Sequence, residues 1–262
     1  MTNTDTNFAT LLETVITDPG RIHSAYSAFH NYSLGNMLLA LGQCAARDIP
    51  LGPMASFNRW KELGRHVMKG QKAIELCMPI TVKRTVETDN GTEEAATLTR
   101  FIYKRNWFVL AQTEGAEYNQ PAPPAWDKPR ALAALDVTEV PFDRMDGNCQ
   151  GFARERSVAV SPVAAMPYKT LFHELAHVLL GHTSEGALSD DEQTPRNLRE
   201  VEAEAVSMLV CAALGLPGAE FSRGYIQHWN VAGDSIPETS ARKILKTADT
   251  ILKAGQEATN HA

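Results

Sequence analysis

Apolar residues recur at helical spacing over residues 8–16 and again over 33–46, where Leu34, Met37, Leu38 and Leu41 form one stripe. Two helices are therefore predicted to open the chain. Ser56 followed by Phe57, Trp60, Leu63 and Gly64 reads as an N-cap, a short helix and a glycine stop. The pattern then changes period. Residues 73–88 and 98–113 are rich in Ile, Val, Thr, Phe and Tyr, and Asp89-Asn90-Gly91 between them is a turn signal, so a long β-hairpin is expected. Pro121, Pro123 and Pro124 exclude regular structure around them, because proline lacks the N–H donor and restricts the residue before it. A domain boundary is expected there: a first domain at 1–115, a linker at 116–130 and a second domain at 131–262. In the second, residues 151–153 and 157–161 suit a short hairpin, followed by helices at 168–181, 196–214, near 220–229 and at 237–254. The pattern predicts an α+β fold in two domains, without internal repeats.

Composition changes this picture little. The chain has 262 residues, 44% of them hydrophobic, enough for two packed cores. Its longest apolar runs, near 178–181 and 206–216, fall short of the ~18 residues a membrane span needs. The polar N-terminus lacks an export signal's apolar stretch. A cytoplasmic protein with no membrane partner is expected. Cys44, Cys77, Cys149 and Cys211 form no CxxC pair and are expected to be free, mostly buried thiols.

Charge changes it more. The net charge is −6, yet Arg59, Lys61, Arg65, Lys69, Lys72, Lys83 and Arg84 face only Glu62 and Glu75 in their stretch of chain, and the acidic excess lies after Ala116. The two halves are expected to meet different partners.

The chemistry concentrates at His173-Glu174-Leu175-Ala176-His177. Residues four apart lie on one helical face, so both imidazoles can converge on one cation while Glu174 acts as general base on a water. Leu171, Phe172, Leu175, Val178, Leu179 and Leu180 supply an apolar face to bury such a helix. Catalytic zinc takes three protein ligands. Leu179 and Thr183 stand where a three-histidine motif would require glycine and histidine, and His182 would face away from His177 on a continuing helix. A glutamate from a second helix is the alternative. Glu200 and Glu204 share a face and Glu202 is turned away, so Glu200 is assigned as the third ligand and Glu204 as the carboxylate orienting a ligand histidine. Tyr168, Tyr225 and His228 are candidates by residue type for an oxyanion stabiliser. The polar segment 183–195 is a candidate cover for the cleft. Zinc is the expected ion, with manganese and cobalt as alternatives.

These features resemble the ArdC family of antirestriction proteins carried by conjugative plasmids. The resemblance runs through Phe29-His30-Asn31-Tyr32-Ser33 with Asn36, Ser56-Phe57-Asn58-Arg59-Trp60-Lys61, Gly64 through Ile74, Gln112-Thr113, the HELAH helix and Glu200 through Glu204. It implies an N-terminal single-stranded-DNA-binding domain and a C-terminal zincin-like metallopeptidase domain. The second half is also similar to regulatory metallopeptidases of the ImmA/IrrE type and to DNA-dependent proteases. Where several zincin groups have ExxAD, this chain has ExxAE, ending in Glu204.

The DNA-binding residues so implied are Asn31, Tyr32, Asn36, Phe57, Arg59, Trp60, Lys61, Arg65, Lys69 and Lys72. Interleaved cations and aromatic platforms suit single strands; a solvated basic hairpin with a core tryptophan is the plainer alternative. Three functions follow. One is a DNA-associated metallopeptidase that protects incoming DNA from restriction, by shielding the strand or by cleaving a restriction enzyme or other DNA-bound protein. The second is a pure single-strand shield with a structural or inactive metal site, and the third a regulatory protease.

Overall fold

The computed structural model describes residues 7–17, 20–87, 93–144, 149–183, 196–231 and 235–257. Three helices come first: α1 (Phe8–Thr17), α2 (Gly20–Phe29) and α3 (Leu34–Ala46). Strand β1 (Met54–Ser56) leads into helix α4 (Phe57–Glu62), whose start is fixed by the Ser56 hydroxyl accepting from the Arg59 N–H. Then come β2 (Arg65–Val67), β3 (Ile74–Glu87), β4 (Glu93–Val109) and, after a single 3-10 turn, β5 (Thr113–Gly115). The second half comprises α5 (Lys128–Ala134), β6 (Thr138–Glu139), β7 (Gly151–Arg154), β8 (Ser157–Val160), α6 (Pro167–Leu179), α7 (Arg196–Leu214), α8 (Ala219–Val231) and α9 (Glu238–Ala254).

The chain divides into two contact units, one of residues 39–120 and one of residues 1–38 with 121–262. This differs from the expected first domain at 1–115. The opening helices bury their apolar faces, including Leu12, Ile16, Ile22 and Phe29, in the core of the second half. The Leu34 N–H donates to Asp249 Oδ1 at 3.0 Å, and the His23 ring bonds the Ala213 carbonyl at 3.0 Å. The expected linker at 116–130 is also shorter. Asp127 accepts from the Arg130 N–H at 2.8 Å and caps α5, with Pro129 tolerated in the first turn.

In the smaller unit β3 and β4 pair antiparallel from Glu87↔Glu93 to Ile74↔Trp107, with a register shift between Ile74 and Glu75, and β1 pairs the end of β4. The predicted hairpin is thus present, with its turn at 88–92 outside the described residues. β2 and β5 form a separate two-stranded ladder.

In the larger unit β8 lies between β6, parallel to it, and β7, antiparallel to it. Against this sheet packs α6, and α7 packs on α6, α2, α8 and α9. Surrounded on all sides, α7 buries Val201, Ala205, Met208, Leu209, Val210 and Cys211 completely. None of the four cysteines is in a disulfide; Cys44 and Cys211 are buried, Cys77 and Cys149 half-buried.

Candidate metal centre and basic face

Helix α6 begins at Pro167, whose missing N–H costs nothing in a first turn, and sinks Leu171, Phe172, Leu175, Ala176 and Val178 into the core. That apolar face fixes the rotation of the helix, so His173 and His177 emerge together. From α7 comes Glu200. His173 Nε2 and His177 Nε2 lie 3.1 Å apart, and Glu200 Oε2 lies 3.5 Å from the first and 3.7 Å from the second. Bare, uncharged contact cannot hold two imidazoles and a carboxylate this close without a shared proton or cation. Ligand atoms ~2.0–2.1 Å from a tetrahedral ion are ~3.3 Å apart, so the three edges fit a divalent cation. Among the described residues these three form the group able to hold one.

The surrounding hydrogen bonds settle which ring nitrogens face the site. Glu204 spans His173 Nδ1 at 2.9 Å and Lys169 Nζ at 2.7 Å. An ionised carboxylate only accepts, so His173 carries a proton on Nδ1 and turns Nε2 inward. Burial raises the Glu204 pKa, but the bonds from His173 and Lys169 outweigh it and hold the group down at about 2. Burial likewise would lower the pKa of His173, yet bonding to Glu200 and Glu204 lifts it to about 9 in the metal-free chain. Glu200 is held well below the usual carboxylate range, chiefly by its bonds from His173 and His177.

Glu174 is buried, and burial raises its pKa against the lowering influence of His173 and His177. Gly151 of β7 lies against it: an added Cβ there would fall 3.2 Å from Glu174 Cγ and 2.5 Å from Thr170 Cγ2. β7 is an edge strand of its three-stranded sheet, so Glu174 lies beside a strand paired on one side only.

The sequence missed several members of this site. His182 was expected to face away from His177, and Glu202 away from the cluster. Instead α6 stops at Leu179, and Gly181 adopts φ +77°. The His182 N–H then bonds the His177 carbonyl at 2.9 Å and the Gly181 N–H that of Val178, closing a Schellman motif that folds the chain back. His182 Nδ1 lies 3.0 Å from His177 Nδ1, and its Nε2 lies 3.0 Å from Glu202 Oε2. Burial raises the Glu202 pKa, but bonds from His182 and Ser240 outweigh it and keep the carboxylate ionised. Glycine followed by histidine after an HExxH helix was the signal. Arg144 was also missed; its charge acts on Glu174 while its guanidinium lies 5.0 Å from the Phe152 ring centre. Of the oxyanion candidates, Tyr168 packs in an aromatic cluster with Trp126 and Phe172. The side chains of Tyr225 and His228, and the segment 184–195 of the expected cover, lie outside the described residues.

The implied DNA-binding residues scatter more. Trp60 is corrected from platform to core: it is 0% exposed, and its indole N–H donates to the Phe108 carbonyl at 2.8 Å. Arg65 is largely committed to backbone, binding Thr113 through Oγ1 and carbonyl and also the Gly115 and Ala116 carbonyls. Arg59 pairs with Glu62 at 2.9 Å on an exposed face. Lys61, Lys69 and Lys72 are exposed, as is the Phe57 ring. Phe101 of β4, unassigned from sequence, is 65% exposed beside Arg100. Asn31 is exposed, and Tyr32 and Asn36 half-buried, in the larger unit rather than the one carrying the basic stretch.

An α+β chain with a two-histidine, one-glutamate cation group and a separate basic unit has known relatives. Residues 16–108 match the family model of the N-terminal domain of anti-restriction factor ArdC. The metal-free crystal structure of the antirestriction ArdC protein from the R388 plasmid superimposes with a TM-score of 0.54 at 21% identity, over 95% of this chain and 94% of that one. The Mn(II)-bound structure gives 0.53 at 19%, over 97% and 99%. An uncharacterised protein of Bacillus anthracis is 24% identical over 86% of this chain but 45% of its own length, so the chain spans about half of that relative. Residues 16–108 thus match the ArdC N-terminal domain, and the chain shares the fold of the ArdC crystal structures along its length. Among the described residues no helix is long and apolar enough to cross a membrane.

Proposed function

We propose that this is an antirestriction protein that binds single-stranded DNA through the basic unit and carries a zinc-dependent peptidase site in the other. The observation that carries the reading is the convergence of His173, His177 and Glu200 with Glu174 beside them. The donor set suits zinc, and manganese is the alternative that the Mn(II)-bound relative favours. A divalent ion held there would acidify a water toward a pKa of ~7 and polarise a carbonyl. The rest belongs to the chain. Glu174 receives the water's proton on its carboxylate and returns it to the leaving nitrogen. The edge strand β7, paired only with β8, would offer an extended peptide main-chain bonds next to that carboxylate. Glu204 and Lys169 hold the His173 ring.

The DNA half of the reading is supported by Lys61, Lys69 and Lys72 for phosphates and by the exposed Phe57 and Phe101 rings for base stacking. A plasmid-transfer assay into a restricting host separates the roles. Loss of protection in Glu174→Gln with unchanged strand affinity supports proteolysis. Retained protection in that variant, with loss in the triple lysine-to-alanine variant, would make the protein a shield only. Loss in neither would refute both.

A further inference from the structure

His177 has an outer partner chain that neither the HExxH pattern nor the Glu200–Glu204 pattern contains. The Gly181 reversal lays His182 over the end of α6, where its side chain is 6% exposed, and Glu202 reaches it from α7 with a side chain only 2% exposed. The line runs Glu202 Oε2, His182 Nε2, His182 Nδ1, His177 Nδ1, with both gaps at 3.0 Å. Each gap admits one proton, and for a neutral His182 the direction is fixed from the far end. The Glu202 carboxylate accepts, so His182 spends its ring proton on Nε2 and its Nδ1 is bare. A bare Nδ1 accepts, so the proton in the second gap belongs to His177 Nδ1. His177 Nε2 is then left with a free lone pair facing His173 Nε2 and Glu200.

We propose that Glu202 and His182 are positioning residues that set the tautomer and rotation of His177 and so present its Nε2 to the cation. The inference rests on the metal-site reading above. It makes the site symmetric in its support: Glu204 sets one ligand ring from α7, and Glu202 sets the other through an intervening imidazole. It also accounts for a buried carboxylate on the face of α7 opposite Glu200, where an apolar residue would pack without partners. A merely structural ion pair would not dictate on which nitrogen His177 keeps its proton.

The test is a long-range proton–nitrogen NMR correlation on the metal-free, nitrogen-15-labelled full chain, paired with zinc affinity from chelator competition. In the wild type His177 is expected to be protonated on Nδ1 alone. Glu202→Ala and His182→Phe should each move His177 toward a mixture with the Nε2–H form and weaken zinc binding ~10–100-fold, the range seen for outer partners of ligand histidines. Glu202→Gln keeps an accepting oxygen and should stay within about threefold of wild type in affinity. The Glu202→Ala/His182→Phe double variant should cost no more than His182→Phe alone, because Glu202 acts through His182. An unchanged His177 tautomer in both single variants overturns the proposal even where affinity drops. Absence of zinc binding in the wild type would instead remove the metal reading, and the tautomer shift would still decide whether the pair sets the ring.

Discussion

Gly151→Ala adds one methyl group and no charge, yet it enters the tightest spot beside Glu174. Its Cβ would lie 2.5 Å from Thr170 Cγ2, 2.9 Å from the Ala159 carbonyl oxygen and 3.2 Å from Glu174 Cγ. Carbon atoms settle ~3.5–4.0 Å apart, so α6 and β7 must separate. Overpacking a filled site costs ~1–3 kcal/mol. One of the three neighbours is backbone and cannot rotate away, which places the expected loss in the upper part, about 2–3 kcal/mol. For a chain of this size that lowers the melting temperature by roughly 5–10 °C. Thr170→Ser removes the nearest atom and leaves the other two contacts, so it should return about 1 kcal/mol in the Gly151→Ala background while stabilising nothing in the wild type. Thermal unfolding of the metal-free wild type, the two single variants and the double variant measures this. A Gly151→Ala protein melting within ~1 °C of wild type, or purely additive effects, would refute the close packing of β7 on Glu174.

Other perturbations probe the rest. Glu204→Gln breaks the pair with Lys169 and weakens the hold on His173, and should reduce zinc affinity ~10–100-fold in chelator competition. Trp60→Phe strands the Phe108 carbonyl and should destabilise the fold by ~1–3 kcal/mol in urea unfolding, with single-strand affinity of the folded protein within about twofold of wild type. Normal stability with lost affinity would return Trp60 to the DNA face. Metal-free stability should depend on pH at both ends. His173, raised to about 9, stabilises fully below its ordinary 6.5 and loses that contribution as pH rises through about 9. Glu204, lowered to about 2, contributes above 4.5 and loses it as pH falls through about 2. Denaturation midpoints across pH check both, and a midpoint flat from neutral to pH 9.5 would contradict the His173 environment.

Helices and the hairpin were legible because their signals are local: the Ser56 cap, the 3.6-residue stripe of α3 and the change to strand period after residue 73. The convergence of His173, His177 and Glu200 was legible too, since spacing on α6 and α7 puts them on faces that can meet. Helix α2 was passed over because its stripe of Ile22, Ala25, Tyr26 and Phe29 is diluted by serines and alanines. Its packing on α7 is a long-range event that no local pattern records. For the same reason, prolines marked a break in regular structure but not which unit would recruit the opening helices. His182 escaped because the helix was extended to Gly181; the left-handed glycine ends it and reverses the direction in which the next side chain points. Trp60 in a basic stretch looked like a platform, and only β4 beneath it makes it core.

Elemental analysis of protein purified without added metal, then reloaded with zinc, is the most direct test. One divalent ion per folded wild-type chain is expected, with loss of that ion in His173→Ala, His177→Ala and Glu200→Ala variants that still melt cooperatively. A folded wild type that takes up no stoichiometric zinc or manganese, or a Glu200→Ala variant that retains its full complement, would contradict the metal centre.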